Sequence, residues 1–153
     1  MPFKNFSIWR GKLPHWRADD VTYYVTFRHR RDLDAGERSL LLRGLLKPEG
    51  KQWDILIACV LPGATELMFR VRTEKEGYEF GKDLERAKTK VGRQIIKKTE
   101  ERWPPFYEES YDRIVRDDAE LEERWGAILS SSVDHELCED PEEWDALWVA
   151  GAP

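Results

Sequence analysis

Apolar and polar positions follow two periods along this chain, and the periods predict its elements. In the segment 21–28, Val21, Tyr23, Val25 and Phe27 occupy every second position, which is the period of a strand. In the segment 80–101 the apolar residues recur at spacings of three and four, which is typical of a helix with one buried face. The same reasoning predicts a helix from 35 that ends before Pro48, strands at 53–60, 67–71 and 110–115, and a last helix carrying Leu121, Trp125, Ile128 and Leu129.

The predicted order is β-α-β-β-α-β followed by a C-terminal helix. This order is that of the α+β, ferredoxin-like split βαβ fold, an antiparallel sheet with both crossover helices on one face. Pro141 is expected near the start of a further short helix. Because no internal repeat or long linker divides the sequence, we expect a single domain over residues 1–153.

The composition indicates a globular protein of the cytoplasm. Hydrophobic residues make up 41% and charged residues 36% of the chain, and no apolar run approaches the roughly 20 residues of a membrane span. The N-terminal residues lack the apolar stretch of a signal peptide, so we expect no membrane partner. Two cysteines form no CxxC motif, and Cys59, within an apolar strand, is expected to be a buried free thiol.

The net charge of −5 conceals an acidic C-terminal segment. From Asp117 onward there are twelve acidic residues and one basic residue, a net charge of −11, which leaves +6 on residues 1–116. A mildly basic body suits a nucleic-acid partner. An ordinary solvated surface would give the same count, so charge alone leaves both interpretations open.

The predicted hairpin Ala58-Cys-Val-Leu-Pro-Gly-Ala-Thr-Glu-Leu-Met-Phe69 resembles a known active-site hairpin. It is similar to the central hairpin of the IS200-like and REP-associated tyrosine transposases, single-strand DNA nucleases of the HUH class. Four further segments resemble the same family in the same order. They are Leu13–Trp16 with Thr22–Arg28, the helix around Lys88, Tyr107–Asp117 and Leu137–Trp144.

The resemblance implies an active site that this sequence lacks. In the family the hairpin reads Pro-Asn-His-apolar-His, and its two histidines hold a divalent metal such as Mg or Mn. Those positions are Ala64 and Glu66 here, and the family's nucleophilic tyrosine falls at Ala127. His15, His29 and His135 are never two apart, so no shift of the alignment restores the pair. We therefore expect no metal cofactor and no catalysis by the family's mechanism.

Three hypotheses follow. The first is a transposase-like DNA-binding protein that recognises single-stranded or hairpin DNA, with a homodimer left open. Its expected contacts are basic residues on the elements that frame the family's DNA face: Arg28, Lys88, Lys90, Arg93, Arg113 and Arg116. The alternative for each of them is a solvated surface charge.

The second hypothesis is a protein-interaction or regulatory module. It depends on the seven tryptophans, among them Trp9, Trp103, Trp144 and Trp148, and on the acidic segment. Core packing is the alternative for each tryptophan. The third hypothesis is an enzyme whose site has moved, with Glu66 and Asp112 as two of its metal ligands; no fixed spacing supports it.

Overall fold

A five-stranded sheet lies at the centre of the protein. The computed structural model describes residues 7–10, 14–18, 21–72, 79–107 and 110–150. The elements in chain order are β1 (Ser7–Arg10), β2 (Pro14–Arg17), β3 (Thr22–Arg28), α1 (Ala35–Leu46), β4 (Trp53–Val60), β5 (Ala64–Val71), α2 (Phe80–Thr99), β6 (Tyr111–Ile114), α3 (Asp118–Asp134) and β7 (Leu147–Val149). The sheet is antiparallel with the order β6-β3-β5-β4-β7, and β1 and β2 form a separate hairpin.

The register of β3, β5 and β6 assigns their side chains to two faces. Val25 of β3 lies opposite Leu67 of β5 and Asp112 of β6. Thr26 lies opposite Glu66 and Tyr111. Because side chains alternate along a strand, the Val25 row and the Thr26 row point to opposite sides of the sheet. The Val25 row contributes to the core beneath α1 and α2.

Helices α1 and α2 cover that first face, and an ion-pair network joins their ends. Asp34 and Glu37 form a capping box at the start of α1. The Arg31 guanidinium bonds both Glu37, at 2.7 Å, and Glu101 after the end of α2, at 2.5 Å. These bonds hold the pKa of Glu37 below its usual range and lower the pKa of Glu101 to about 2. Across the described ranges, no helix is both long and apolar enough to cross a membrane.

The opposite face carries a second, smaller core beneath α3. A bulge between Ile55 and Ile57 shifts the register of β4 against β5, so Ile55 packs in the core beneath α1 and α2 and Ile57 packs on the opposite face. Ile57 and Cys59 pack with Met68 and with Ile128 of α3. Cys59 is a free thiol, as predicted, and burial raises its pKa to about 12. The sheet is thus packed between two helical layers.

The predicted fold class is confirmed, with three differences. Strand β5 begins at Ala64 rather than at 67, because the Pro62-Gly63 turn leads directly into the ladder. Strand β7 and the β1–β2 hairpin were not predicted, since each strand has only three or four residues. Pro141 begins a three-residue 3-10 turn, as expected. Leu13 and the side chains of Trp9 and His15 lie outside the described residues.

Candidate functional site

A buried histidine fixes the Pro62-Gly63 turn. The His29 imidazole lies 2.7 Å from the Pro62 carbonyl oxygen and 2.8 Å from Thr65 Oγ1. The backbone N–H groups of His29 and Leu33 donate to the carbonyl oxygens of Gly63 and Pro62. Burial lowers the pKa of His29, which favours the neutral ring. His29 is therefore a structural histidine that holds the turn in place.

Glu66 lies on the α3 side of the sheet and meets α3 through a serine. The Ser131 hydroxyl is 2.7 Å from Glu66 Oε1 and 2.8 Å from the carbonyl oxygen of Ala127, one turn earlier on α3. The Tyr24 hydroxyl donates to Glu66 Oε2 at 3.4 Å. Burial and the Glu66 charge raise the pKa of Tyr24, so its phenol stays protonated. The Ser131 hydroxyl thus links the Glu66 carboxylate to the backbone of α3 at Ala127.

These residues do not fit a divalent metal ion. Ala64 offers no donor atom, and the Glu66 carboxylate already accepts hydrogen bonds from Ser131 and Tyr24. Among the described residues, no three His, Cys, Asp or Glu side chains come together as a metal site. The hypothesis of a metal site shared by Glu66 and Asp112 is wrong. Glu66 lies opposite Thr26 and Asp112 lies opposite Val25, so the two carboxylates are on opposite faces of the sheet.

A partly exposed surface of polar and aromatic side chains lies beside Glu66 on the same side of the sheet. Helix α3 packs against β4 and β5, so the side chains of β3 and β6 on this face stay partly exposed. We call the set Tyr24, Thr26, Arg28, Tyr111 and Arg113 the β3–β6 face.

Two arginines of this region lie over tyrosine rings. The guanidinium of Arg124, on α3, is 4.6 Å from the ring centre of Tyr24, and that of Arg113 is 5.0 Å from that of Tyr111. Cations and aromatic rings therefore alternate along the edge where α3 meets the β3–β6 face.

The predicted basic residues divide between the two sides of the sheet. Arg28 and Arg113 lie on the β3–β6 face, and Arg116 lines a groove along α3 together with Arg124 and Ala127. Arg116 pairs with Glu120, with its Nε 3.0 Å from the carboxylate, and Arg124 Nε lies 3.9 Å from the same carboxylate.

The other three predicted residues are on α2, in the opposite layer. Lys90 and Arg93 are exposed there. Lys88 is only 4% exposed, with its ammonium 3.2 Å from Glu85 and 4.8 Å from the ring centre of Phe27. Burial removes Lys88 from any surface that a nucleic acid could reach, so we take its role to be packing and pairing.

Sequence reasoning missed four residues of this site, namely Tyr24, Tyr111, Ser131 and Arg124. The period of two places Tyr24 on the face of Arg28, so the strand pattern already contained that signal. Ser131 and Arg124 gave no such signal, because their proximity to Glu66 and Tyr24 depends on how α3 crosses the sheet.

The fold of this protein is similar to that of a protein of known structure. No protein-family model matches the sequence, and no curated protein matches it. The structure of a REP-associated tyrosine transposase bound to a REP hairpin superposes with a TM-score of 0.66 at 12% sequence identity. The match covers 88% of this chain and 80% of the transposase. At this identity the likeness establishes a shared fold.

Proposed function

We propose that this protein is a transposase-like DNA-binding protein that binds single-stranded or hairpin DNA through the β3–β6 face. The observation that carries the proposal is the grouping of Arg28, Arg113 and Arg124 beside Tyr24 and Tyr111 on a partly exposed sheet surface. Guanidinium groups pair with phosphates, and tyrosine rings can stack on unpaired bases. The solved transposase with the same fold is bound to a DNA hairpin, which favours DNA over other anions.

We further propose that the protein does not cleave DNA by the mechanism of the HUH transposases. That mechanism needs metal-binding side chains on the central hairpin and a tyrosine on the helix above it. Ala64 cannot bind a metal, and Ala127 stands where the tyrosine would be. The Glu66 carboxylate already accepts hydrogen bonds from Ser131 and Tyr24. Tyr24 is a poor substitute nucleophile, because its environment raises the pKa of its hydroxyl.

Two measurements test the proposal. Fluorescence anisotropy with a labelled DNA hairpin should show binding that weakens as salt rises, because phosphate contacts release counterions. Absence of binding even at low salt contradicts the proposed function. Incubation of labelled single-stranded DNA with Mg²⁺ or Mn²⁺ should give neither cleavage nor a covalent protein–DNA adduct, and an adduct would contradict the proposed loss of catalysis.

A protein-interaction module has weaker support. Trp53 is fully buried, and Trp144 Nε1 donates to the carbonyl oxygen of Val60 while its ring stacks beneath Arg38. Trp148 packs against the main core. These tryptophans are used for packing, so they do not favour a protein partner.

A further inference from the structure

Two exposed aromatic side chains lie in the loop between α2 and β6. Trp103 is 63% exposed and Tyr107 is 44% exposed. Leu137, beyond α3, completes the set of exposed large apolar side chains among the residues that the structure describes. We call residues 102–107 the aromatic loop.

The aromatic loop is held firmly although its two rings face solvent. Phe106, between them, is buried with its ring edge-on to Phe27 and His29. Pro104 packs closely on α2 at Gly92. A Cβ atom added to Gly92 would lie 2.9 Å from the Cβ atom of Pro104. Backbone bonds add to this, from the Arg30 N–H to the Pro105 carbonyl at 2.7 Å among others. The exposed rings are therefore presented on a fixed support.

Each exposed ring has an arginine beside it. The Arg30 guanidinium lies 4.7 Å from the ring centre of Tyr107, and the Arg102 guanidinium lies 5.3 Å from that of Trp103. Both arginines are exposed. The nearby carboxylate of Glu101 is already paired with Arg31. A ligand that offers flat rings and negative charge at short spacing fits this arrangement, and single-stranded DNA has both.

The aromatic loop is continuous with the β3–β6 face. The Tyr107 N–H donates to the Arg28 carbonyl oxygen at 3.2 Å, and Phe106 pairs with His29, the residue after β3. The side chain of Arg28 belongs to the β3–β6 face and lies opposite Ala64 at the hairpin turn. A strand that leaves this face past Arg28 therefore meets Tyr107 next.

We propose that Trp103 and Tyr107 form a stacking platform for unpaired bases of the DNA that the β3–β6 face binds by its phosphates. The proposal rests on the proposed function and adds a second contact surface to it. A protein partner fits less well, because two isolated rings among arginines do not make the broad interface of a stable protein complex.

The experiment compares two labelled oligonucleotides by fluorescence anisotropy, a blunt duplex and the same duplex with a single-stranded tail. Trp103→Ala and Tyr107→Ala should each weaken binding of the tailed duplex by roughly 5- to 100-fold, the effect of losing one base–aromatic stack. Binding of the blunt duplex should stay as in the parent. Trp103→Phe should retain most of the affinity, and Leu137→Ala is the matched control, an exposed apolar side chain outside the loop. Because Trp103 is 63% and Tyr107 44% exposed, neither substitution should change the melting temperature by much. If the melting temperature of Trp103→Ala does fall, Tyr107→Ala provides the same test.

Other outcomes separate this proposal from the proposed function. If both alanine variants bind the tailed duplex as the parent does while Arg28→Gln weakens binding, the platform is wrong and the interface stands. An equal loss on both oligonucleotides would also contradict stacking on unpaired bases. If the parent protein binds neither the blunt nor the tailed duplex, both proposals are contradicted. Loss of a protein partner in Trp103→Ala, with DNA binding unchanged, would make the loop a protein contact and overturn the platform.

Discussion

The salt dependence of DNA binding should report which side of the sheet meets the phosphates. Arg28 and Arg113 lie on the β3–β6 face, whereas Lys90 and Arg93 are exposed on α2 in the opposite layer. Two double variants, Arg28→Gln/Arg113→Gln and Lys90→Gln/Arg93→Gln, each remove two positive charges. They therefore change net charge equally and differ only in the side of the protein that they alter.

The number of arginines removed sets the expected magnitude. Each positive side chain that contacts a phosphate of single-stranded DNA contributes about −0.7 to the slope of log affinity against log salt. Losing Arg28 and Arg113 should therefore make that slope less steep by about 1.4, so the fall in affinity between 50 and 200 mM salt should be about sevenfold smaller than in the parent.

The assay is anisotropy titration of a labelled single-stranded oligonucleotide at four salt concentrations in that range. The melting temperature of each variant is measured alongside, because Arg113 is only partly exposed and its Nε donates to the Tyr111 hydroxyl. The α2 variant should keep the slope of the parent. A reduced slope in the α2 variant together with an unchanged slope in the β3–β6 variant would refute the assignment of the DNA to the β3–β6 face.

Three further predictions concern the framework of the site. Arg31→Met should lower the free energy of unfolding in urea by about 2 kcal/mol, because it leaves the buried carboxylate of Glu37 without its charged partner. The control is Arg72→Met, which breaks a pair with Asp54 in which both side chains are about half exposed and which should change the free energy of unfolding by less than about 0.5 kcal/mol. Equal values for the two variants would contradict a stabilising network. Burial lowers the pKa of His29 below 6.5, so the unfolded chain takes up a proton at a higher pH than the folded protein does. The free energy of unfolding should therefore decrease as the pH falls below that value. His29→Gln should make the decrease between about pH 7.5 and 5.5 smaller, and an unchanged decrease would show that other groups cause it. Ser131→Ala should lower the free energy of unfolding by about 1 kcal/mol, since Glu66 then keeps only its long bond to Tyr24. Full additivity with Glu66→Ala, which removes the acceptor, would show that the bond between Ser131 and Glu66 contributes nothing.

The strands and helices could be predicted because their patterns are local. The apolar run Trp53–Val60 is a strand with those bounds, and the helical spacing after Phe80 gave α2 to within two residues. Strand β7 could not be predicted, because three residues carry little periodicity and its partner β4 is distant in sequence.

The candidate site was less predictable, because a charge in a sequence does not reveal its layer. Lys88 and Lys90 are two residues apart on one helix, yet the first is buried over Phe27 and the second is exposed. The strand period could separate Arg28 from the core side of β3, but only the register of β3 with β6 shows that Arg113 shares its face. The proximity of Glu66 and Ser131 could not be predicted without knowing how α3 crosses the sheet.

The presence of two cores on one sheet has a consequence for how the protein opens. The core beneath α1 and α2 includes buried residues from every strand from β3 to β6, whereas the core beneath α3 depends on a few residues around Ile57, Met68 and Ile128. Regions with fewer buried contacts open at lower free energy than the whole molecule. Helix α3 is thus expected to behave as a separate cooperative unit whose amides exchange with solvent sooner than those of β3 and β5. Its detachment would uncover the sheet around Glu66 while the rest of the fold stays intact.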